Sequence, residues 1–184
     1  MKATEQLKEE HNAVKTMVKI LEAVAEKLEA GQKVNTEHME MMVKFIRVFT
    51  DKCHHGKEEG LLFVAMEKAG IPKDGGPIGV MLSEHDVGRG YVKGMSEGIA
   101  EYKQGNAKAA SRIAQNARGY AGLLTEHIYK EDNILYPMAE MHLSDKDDKE
   151  LVEQFEKLEE EVIGHGKHEQ LHEMLRTLQN TYLK

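Results

Sequence analysis

A single cysteine, three prolines and no long apolar run stand out first in this chain of 184 residues. With Cys53 as the only thiol, an internal disulfide is excluded, as is any zinc or iron–sulfur site built from several cysteines. Charged residues make up 31% and are interspersed throughout, which leaves no stretch able to span a membrane. The opening MKATEQLKEEH has no apolar signal region, so secretion is not expected and a cytoplasmic location is. Basic residues number 25 against 32 acidic ones, for a net charge of −7. Such a chain repels phosphate backbones, and no basic cluster offsets the balance, so nucleic acid is not an expected partner. Hydrophobic residues reach 40%, too many for a disordered chain.

What the chain has in excess is histidine, ten in all. It also has helical periodicity. Leu7, Val14, Met17, Val18, Leu21, Val24, Ala25 and Leu28 form one apolar stripe over residues 4–30. Gly31 ends that helix, and Asn35 or Thr36 caps the next, which runs to about Ala69 before Gly70, Pro72 and Gly75-Gly76-Pro77. A third helix is predicted over residues 78–104 and a fourth over 107–142, with Gly105-Asn106 turning between them and Pro137 near the end. Ser144 with Asp147 forms a cap signature for a fifth helix reaching about Asn180. Gly90, Gly94 and Gly98 recur at steps of four on the third helix, opposite Ala110, Ala114, Ala117 and Ala121 on the fourth. Since each interior glycine costs about 1 kcal/mol of helix propensity, the pattern predicts a close contact along a ridge of small residues.

The chain repeats itself. A shift of 74 sets Glu10-His11 on Glu84-His85, and a shift of 73 sets His54-x-x-Lys57-Glu58 on His127-x-x-Lys130-Glu131 and Leu62-Phe63 on Leu135-Tyr136. Each half therefore reads as a helix hairpin with a histidine on its first helix and His-x-x-x-Glu on its second. The predicted fold is all-α: one domain over residues 1–184, an up-and-down four-helix bundle over 1–142 and an additional C-terminal helix over 144–181. His11 and His54 lie 19 and 18 residues from their shared turn, which at 1.5 Å per residue puts both about 27–28 Å away. His85 and His127 are matched in the same way. Four histidines at one level, with Glu58 and Glu131 one turn further along, predict a metal site in the bundle.

Four imidazoles and two carboxylates are too many ligands for one tetrahedral zinc. They suit two first-row metals bridged by the carboxylates, with iron or manganese favoured. The ferritin-like pattern Glu-x-x-His occurs once, at Glu169–His172, and has no second copy, so that spacing fails.

Glu10-His11, His54-His55-Gly56-Lys57-Glu58-Glu59 with Leu62-Phe63, Glu84-His85, and His127-x-x-x-Glu131 with Leu135-Tyr136-Pro137 together resemble the hemerythrin-like, HHE cation-binding family. The resemblance implies a non-haem di-iron centre, oxo- or hydroxo-bridged, held by His11, His54, Glu58, His85, His127 and Glu131. It implies a small partner, namely dioxygen, nitric oxide or peroxide, or a role in handling iron. A peroxide- or nitric-oxide-consuming oxidoreductase, or an iron donor for iron–sulfur repair, is the alternative; no separate catalytic residue is assigned. One departure matters: oxygen-carrying hemerythrins have a further histidine on the third helix, and Arg89 stands at that position. An open position on each iron then suits peroxide or nitric oxide chemistry, or iron release.

The remaining histidines are assigned elsewhere. His55 and Glu59 form a second His-x-x-x-Glu, one residue out of register, and the repeat prefers His54 and Glu58. His38 and His142 read as surface residues. His165, His168 and His172 read as a polar helix face, with His168 the candidate for an extra ligand. Glu10, Glu84 and Glu126 each precede a proposed ligand; they read first as solvated glutamates, with a hydrogen bond to a ligand imidazole as the alternative, and Cys53 reads as a small buried thiol.

Overall fold

The computed structural model describes residues 1–106, 108–164 and 167–183, and among these the chain is entirely helical. The first helix, α1, spans Lys2–Glu29. The second, α2, starts as Thr36–Phe45, continues through wide, π-helical turns at Ile46–His55 and Glu58–Leu62, and ends as Phe63–Lys68. Then come α3, Pro77–Lys103, and α4, which runs through Ala109–Lys130, a wide turn at Glu131–Leu135, and Tyr136–His142. The last two helices are α5, Asp145–Val162, and α6, Lys167–Tyr182.

Local chemistry accounts for most of these boundaries. Past the end of α1, Gly31 takes φ +72°, a left-handed conformation that costs glycine little. The Asn35 side chain accepts a hydrogen bond from the Glu37 amide and so caps α2. Ser144 and Asp147 form a reciprocal capping box at the head of α5. The predicted single C-terminal helix is corrected: it is two helices, interrupted where Gly164 adopts φ +76°. His165, read from the sequence as part of a polar helix face, lies outside the described residues.

The ridge of small residues holds in part. A Cβ at Gly98 would approach Ile113 Cγ1 on α4 to 2.9 Å, and one at Gly94 would clash with Asn116. Gly90 faces open space, so its helix cost is not offset by packing.

Two apolar clusters fill the interior. On α1 one cluster takes Ala3 and Leu7 and the other begins at Val14, leaving His11 between. On α2 the break falls between Cys53 and Leu62, and on α3 between Met81 and Val92. On α4 it falls between Ile128 and Leu135. Each long helix thus interrupts its apolar stripe at one level, and a buried polar layer occupies the gap. No helix among the described residues is long and apolar enough to cross a membrane.

Candidate metal centre

The polar layer contains His11, His54, His55, Glu58, His85, His127 and Glu131, all buried. Leaving this many polar groups in an apolar interior is costly unless something satisfies them. The wide turns of α2 and α4 coincide with the layer. A wider turn reduces the angle between successive side chains, which is how neighbours His54 and His55 come to be only 2% and 5% exposed.

The imidazoles meet tip to tip in two pairs. His11 Nε2 and His54 Nε2 are 3.1 Å apart, and His85 Nε2 and His127 Nε2 are 3.0 Å apart. Glu131 reaches both pairs, with Oε2 3.2 Å from His11 Nε2 and Oε1 3.0 Å from His127 Nε2. Glu58 Oε2 lies 3.5 Å from His85 Nε2 and 3.8 Å from His54 Nε2. Its Oε1 accepts a 2.6 Å hydrogen bond from the Tyr136 hydroxyl, whose ring stacks on His11. Two compact groups of donor atoms result: His11, His54 and Glu131 in one, and His55, Glu58, His85 and His127 in the other.

A ring of outer carboxylates fixes the tautomers. The Nδ1 of His11 donates to Asp132 (2.7 Å), of His54 to Glu10 (2.8 Å), of His85 to Glu59 (2.7 Å) and of His127 to Glu84 (2.8 Å). Carboxylates only accept, so each Nδ1 carries a proton, and in the neutral ring Nε2 presents its lone pair to the centre. The paired Nε2 atoms face one another across the centre, and Glu58 Oε2 and both Glu131 oxygens have no hydrogen-bond partner among the described residues. A cation is the group that answers this arrangement.

The outer ring follows the sequence repeat. Lys57 donates to Glu10, and its counterpart Lys130 to Glu84. Lys15 pairs with Asp132, and Arg89, 74 residues on, pairs with Glu59. Each histidine therefore carries a carboxylate and each carboxylate a cation, in both halves of the chain.

Electrostatics separates the two central carboxylates. Burial, then repulsion from Glu131, pushes Glu58 well above the usual carboxylate range. Burial opposes ionisation of Glu131 too, but His127, His11 and His85 hold it well below that range. One charged carboxylate beside one neutral one is the metal-free solution to two acids in a dry cavity. Against the effect of burial, Asp132 and Glu131 hold the His11 imidazole above its ordinary value, and Glu131 and Glu59 do so for His85.

All six residues predicted to hold metal are brought into this layer, and several other readings are corrected. His55, out of register with the repeat, is buried against the neighbouring helix, with its ring stacked on His85 at 3.8 Å between centroids. Glu59, likewise out of register, bonds His85 Nδ1 and orients that ring. Glu10 and Glu84 take the alternative reading rather than the solvated one, because each bonds an imidazole across its own hairpin; Glu126 is exposed. His38 is half-buried, its Nδ1 2.9 Å from the Tyr182 hydroxyl, rather than a free surface group. His168 and His172 pack beside Phe49 on α6, outside the layer. Cys53 is buried, and burial pushes its thiol up to about 12. The signal that could have found Glu59 and Asp132 was in hand, since both follow the repeated glutamate at the same shift of 73.

A cavity of about 120 Å³ between α2 and α3 reaches the layer from one side, lined by Arg47, Asp51, His55, His85, Arg89 and Tyr120 among others.

Comparison with known proteins agrees with this chemistry. The chain is 24% identical over 162 residues to uncharacterized proteins of Mycobacterium tuberculosis and Mycobacterium bovis, covering 88% of this chain and 63% of theirs. The chain thus spans less than two thirds of the length of those relatives. No solved structure matches. A family model, the hemerythrin HHE cation binding domain, matches residues 2–139, the segment that carries every residue of the buried polar layer and its outer carboxylates. The chain belongs to the hemerythrin HHE cation-binding family.

Proposed function

We propose that this is a non-haem di-iron protein which binds or senses dioxygen, nitric oxide or peroxide, or handles iron. His11, His54 and Glu131 would hold one metal and His85, His127 and Glu58 the other, with Glu131 in reach of both. One observation carries the reading: two pairs of imidazole Nε2 atoms converge at 3.0–3.1 Å, each ring's proton committed to a carboxylate on its far side. A pair of metals in an oxygen- and nitrogen-rich site supplies redox and Lewis-acid chemistry toward a small ligand. The residues around it hold the imidazoles in one tautomer, exclude bulk water and place the Tyr136 hydroxyl beside Glu58 and 3.4 Å from His11 Nε2. In this reading residues 1–142 form an up-and-down four-helix bundle in a single domain, with α5 and α6 laid against it.

Metal stoichiometry with an optical spectrum, before and after exposure to oxygen or nitric oxide, tests the proposal. Two irons per chain and a spectrum that changes with the gas are expected. A single tetrahedral zinc, or no metal in protein produced with ample iron, overturns it. Turnover of added peroxide or nitric oxide by the loaded protein would move the reading from binding to catalysis.

A further inference from the structure

We propose that His168 and His172 of α6, together with Glu159 of α5, form a second metal site apart from the central layer. It takes one divalent cation of the zinc class and leaves the fourth position open to a cavity. The site lies beyond residues 2–139, the segment that the family model matches, and stands whatever the centre holds.

The sequence supplies the first observation. His168-Glu169-Gln170-Leu171-His172 sets two histidines four apart on one helix, so both rings rise from the same face, a spacing that suits a zinc-class cation. Leu171, Leu175 and Leu178 form the buried stripe of α6, and the two histidines stand at its edge, half-buried and packed beside Phe49 of α2. Glu169, by contrast, is turned outward, with its side chain 83% exposed and 3.7 Å from Arg176. The pattern therefore offers a pair of ligands, and the glutamate between them has no part in the site.

Geometry supplies the second. The rings of His168 and His172 lie 4.5 Å apart between centroids at a tilt of 58°. The imidazole pairs of the central layer, His11 with His54 and His85 with His127, lie 4.8 Å apart at 59° and 62°. The outer pair thus repeats the mutual placement of the inner ones. Glu159 adds a carboxylate: its Oε2 accepts from Lys57, and its Oε1 lies 3.5 Å from His168 Nε2. Two imidazoles and one carboxylate with a fourth position vacant is a ligand set that suits zinc. The three donors are not drawn within 4.8 Å of one another as those of the central layer are, so binding closes the set by turning the half-buried His172 ring toward Glu159.

Surroundings supply the third. The three residues border a cavity of about 300 Å³ that Gln6, Glu9 and Glu10 of α1 also line. Glu9, Glu10 and Glu159 set three carboxylates against one buried ammonium, that of Lys57, so a divalent cation enters a region of net negative charge. A metal here ties α6 to α5 across the break at Gly164 and holds Glu159 in the position from which it grips Lys57.

The test uses the full chain already loaded with iron, dialysed against zinc, with both metals counted in the same samples. One zinc per chain should bind without loss of iron, and X-ray absorption at the zinc edge should show scattering from two imidazoles. His168→Ala and His172→Ala should each weaken zinc binding by about a hundredfold or more, the upper end of what losing a mere orienting group costs. Glu169→Gln and His142→Ala, both at exposed positions off the site, should bind zinc as the natural chain does. Where an alanine variant has a lowered Tm, His172→Gln keeps a polar side chain at the same place and should still lose the zinc. Zinc that enters only as iron leaves would place it in the centre and overturn the proposal. So would zinc that binds both histidine variants as tightly as the natural chain, or no uptake of zinc at all.

Discussion

Lys57 is completely buried, and its ammonium donates to Glu159 Oε2 at 2.9 Å. The same ammonium bonds Glu10, which orients His54, so α5 is joined to the centre through one cation. Removing a buried cation from between two carboxylates leaves both uncompensated, at a cost of about 3–5 kcal/mol. Lys57→Met is expected to lose stability on that scale in urea denaturation. Glu159→Gln, which leaves the Glu10 pair intact and changes a partly exposed group, should cost about 1 kcal/mol. Equal effects from the two would mean that Glu159, not Glu10, is the principal partner.

Metal removal should loosen the protein. Glu58 Oε2 and both Glu131 oxygens are buried without donors among the described residues, so the metal-free layer carries unsatisfied polar groups. A ligand present at a hundred times its dissociation constant stabilises by about 2.7 kcal/mol. For a chain of this size that is a shift of about 5–10 °C in Tm. Calorimetry before and after chelation measures it. An unchanged Tm after complete removal would mean that metal binding contributes nothing to the fold.

Much of this was legible in the sequence, and the reason is repetition. Leu7 to Leu28 gives the period of α1, and the 73- and 74-residue shifts set His11, His54, His85 and His127 at one height before any coordinate is known. His55 was not legible, because side-chain periodicity assumes a regular turn and a π-helical segment changes the turn without changing the residue pattern. Nor were the partners of Glu10 and Glu84: each adjoins one histidine in sequence and bonds another across the hairpin. The break between α5 and α6 was carried by Gly164, which reads in sequence as one more glycine in a helix and in the structure as a left-handed turn.

Acid should weaken the metal-free protein through Arg89. Burial alone would raise Asp51 and Glu59, but hydrogen bonds from His55 and Arg89 hold Asp51 at about 2, and those from His85 and Arg89 hold Glu59 at about 2. Unfolded, both groups titrate near 4, about two units higher. Between those values the unfolded state binds more protons, so stability rises with pH. The contribution is fully present above the unfolded values and is lost as pH falls through the folded ones. Arg89→Met should bring the folded values closer to the unfolded ones and flatten the pH dependence of the urea midpoint below about pH 5. Parallel curves for the two proteins would remove Arg89 as the cause.

Glu58 and Glu59 sit side by side and should fail in different ways. Glu58 is wholly buried between the imidazole pairs, with one oxygen on Tyr136 and the other facing His85 and His54. Glu59 is half-buried and touches the centre only through His85 Nδ1. Glu58→Ala therefore removes a donor from the metal layer and should cost most of the bound iron at any practical concentration. Glu59→Ala removes the group that holds the His85 tautomer, and such a loss typically weakens metal affinity by about 10–100-fold. That variant should still fill with two irons when iron is in excess and should lose them sooner to a competing chelator. Counting iron per chain across a chelator titration separates the two behaviours. If Glu59→Ala stays empty at saturating iron while Glu58→Ala fills, the carboxylate that reaches the metals is the other one, and the order of the site from centre to rim must be inverted.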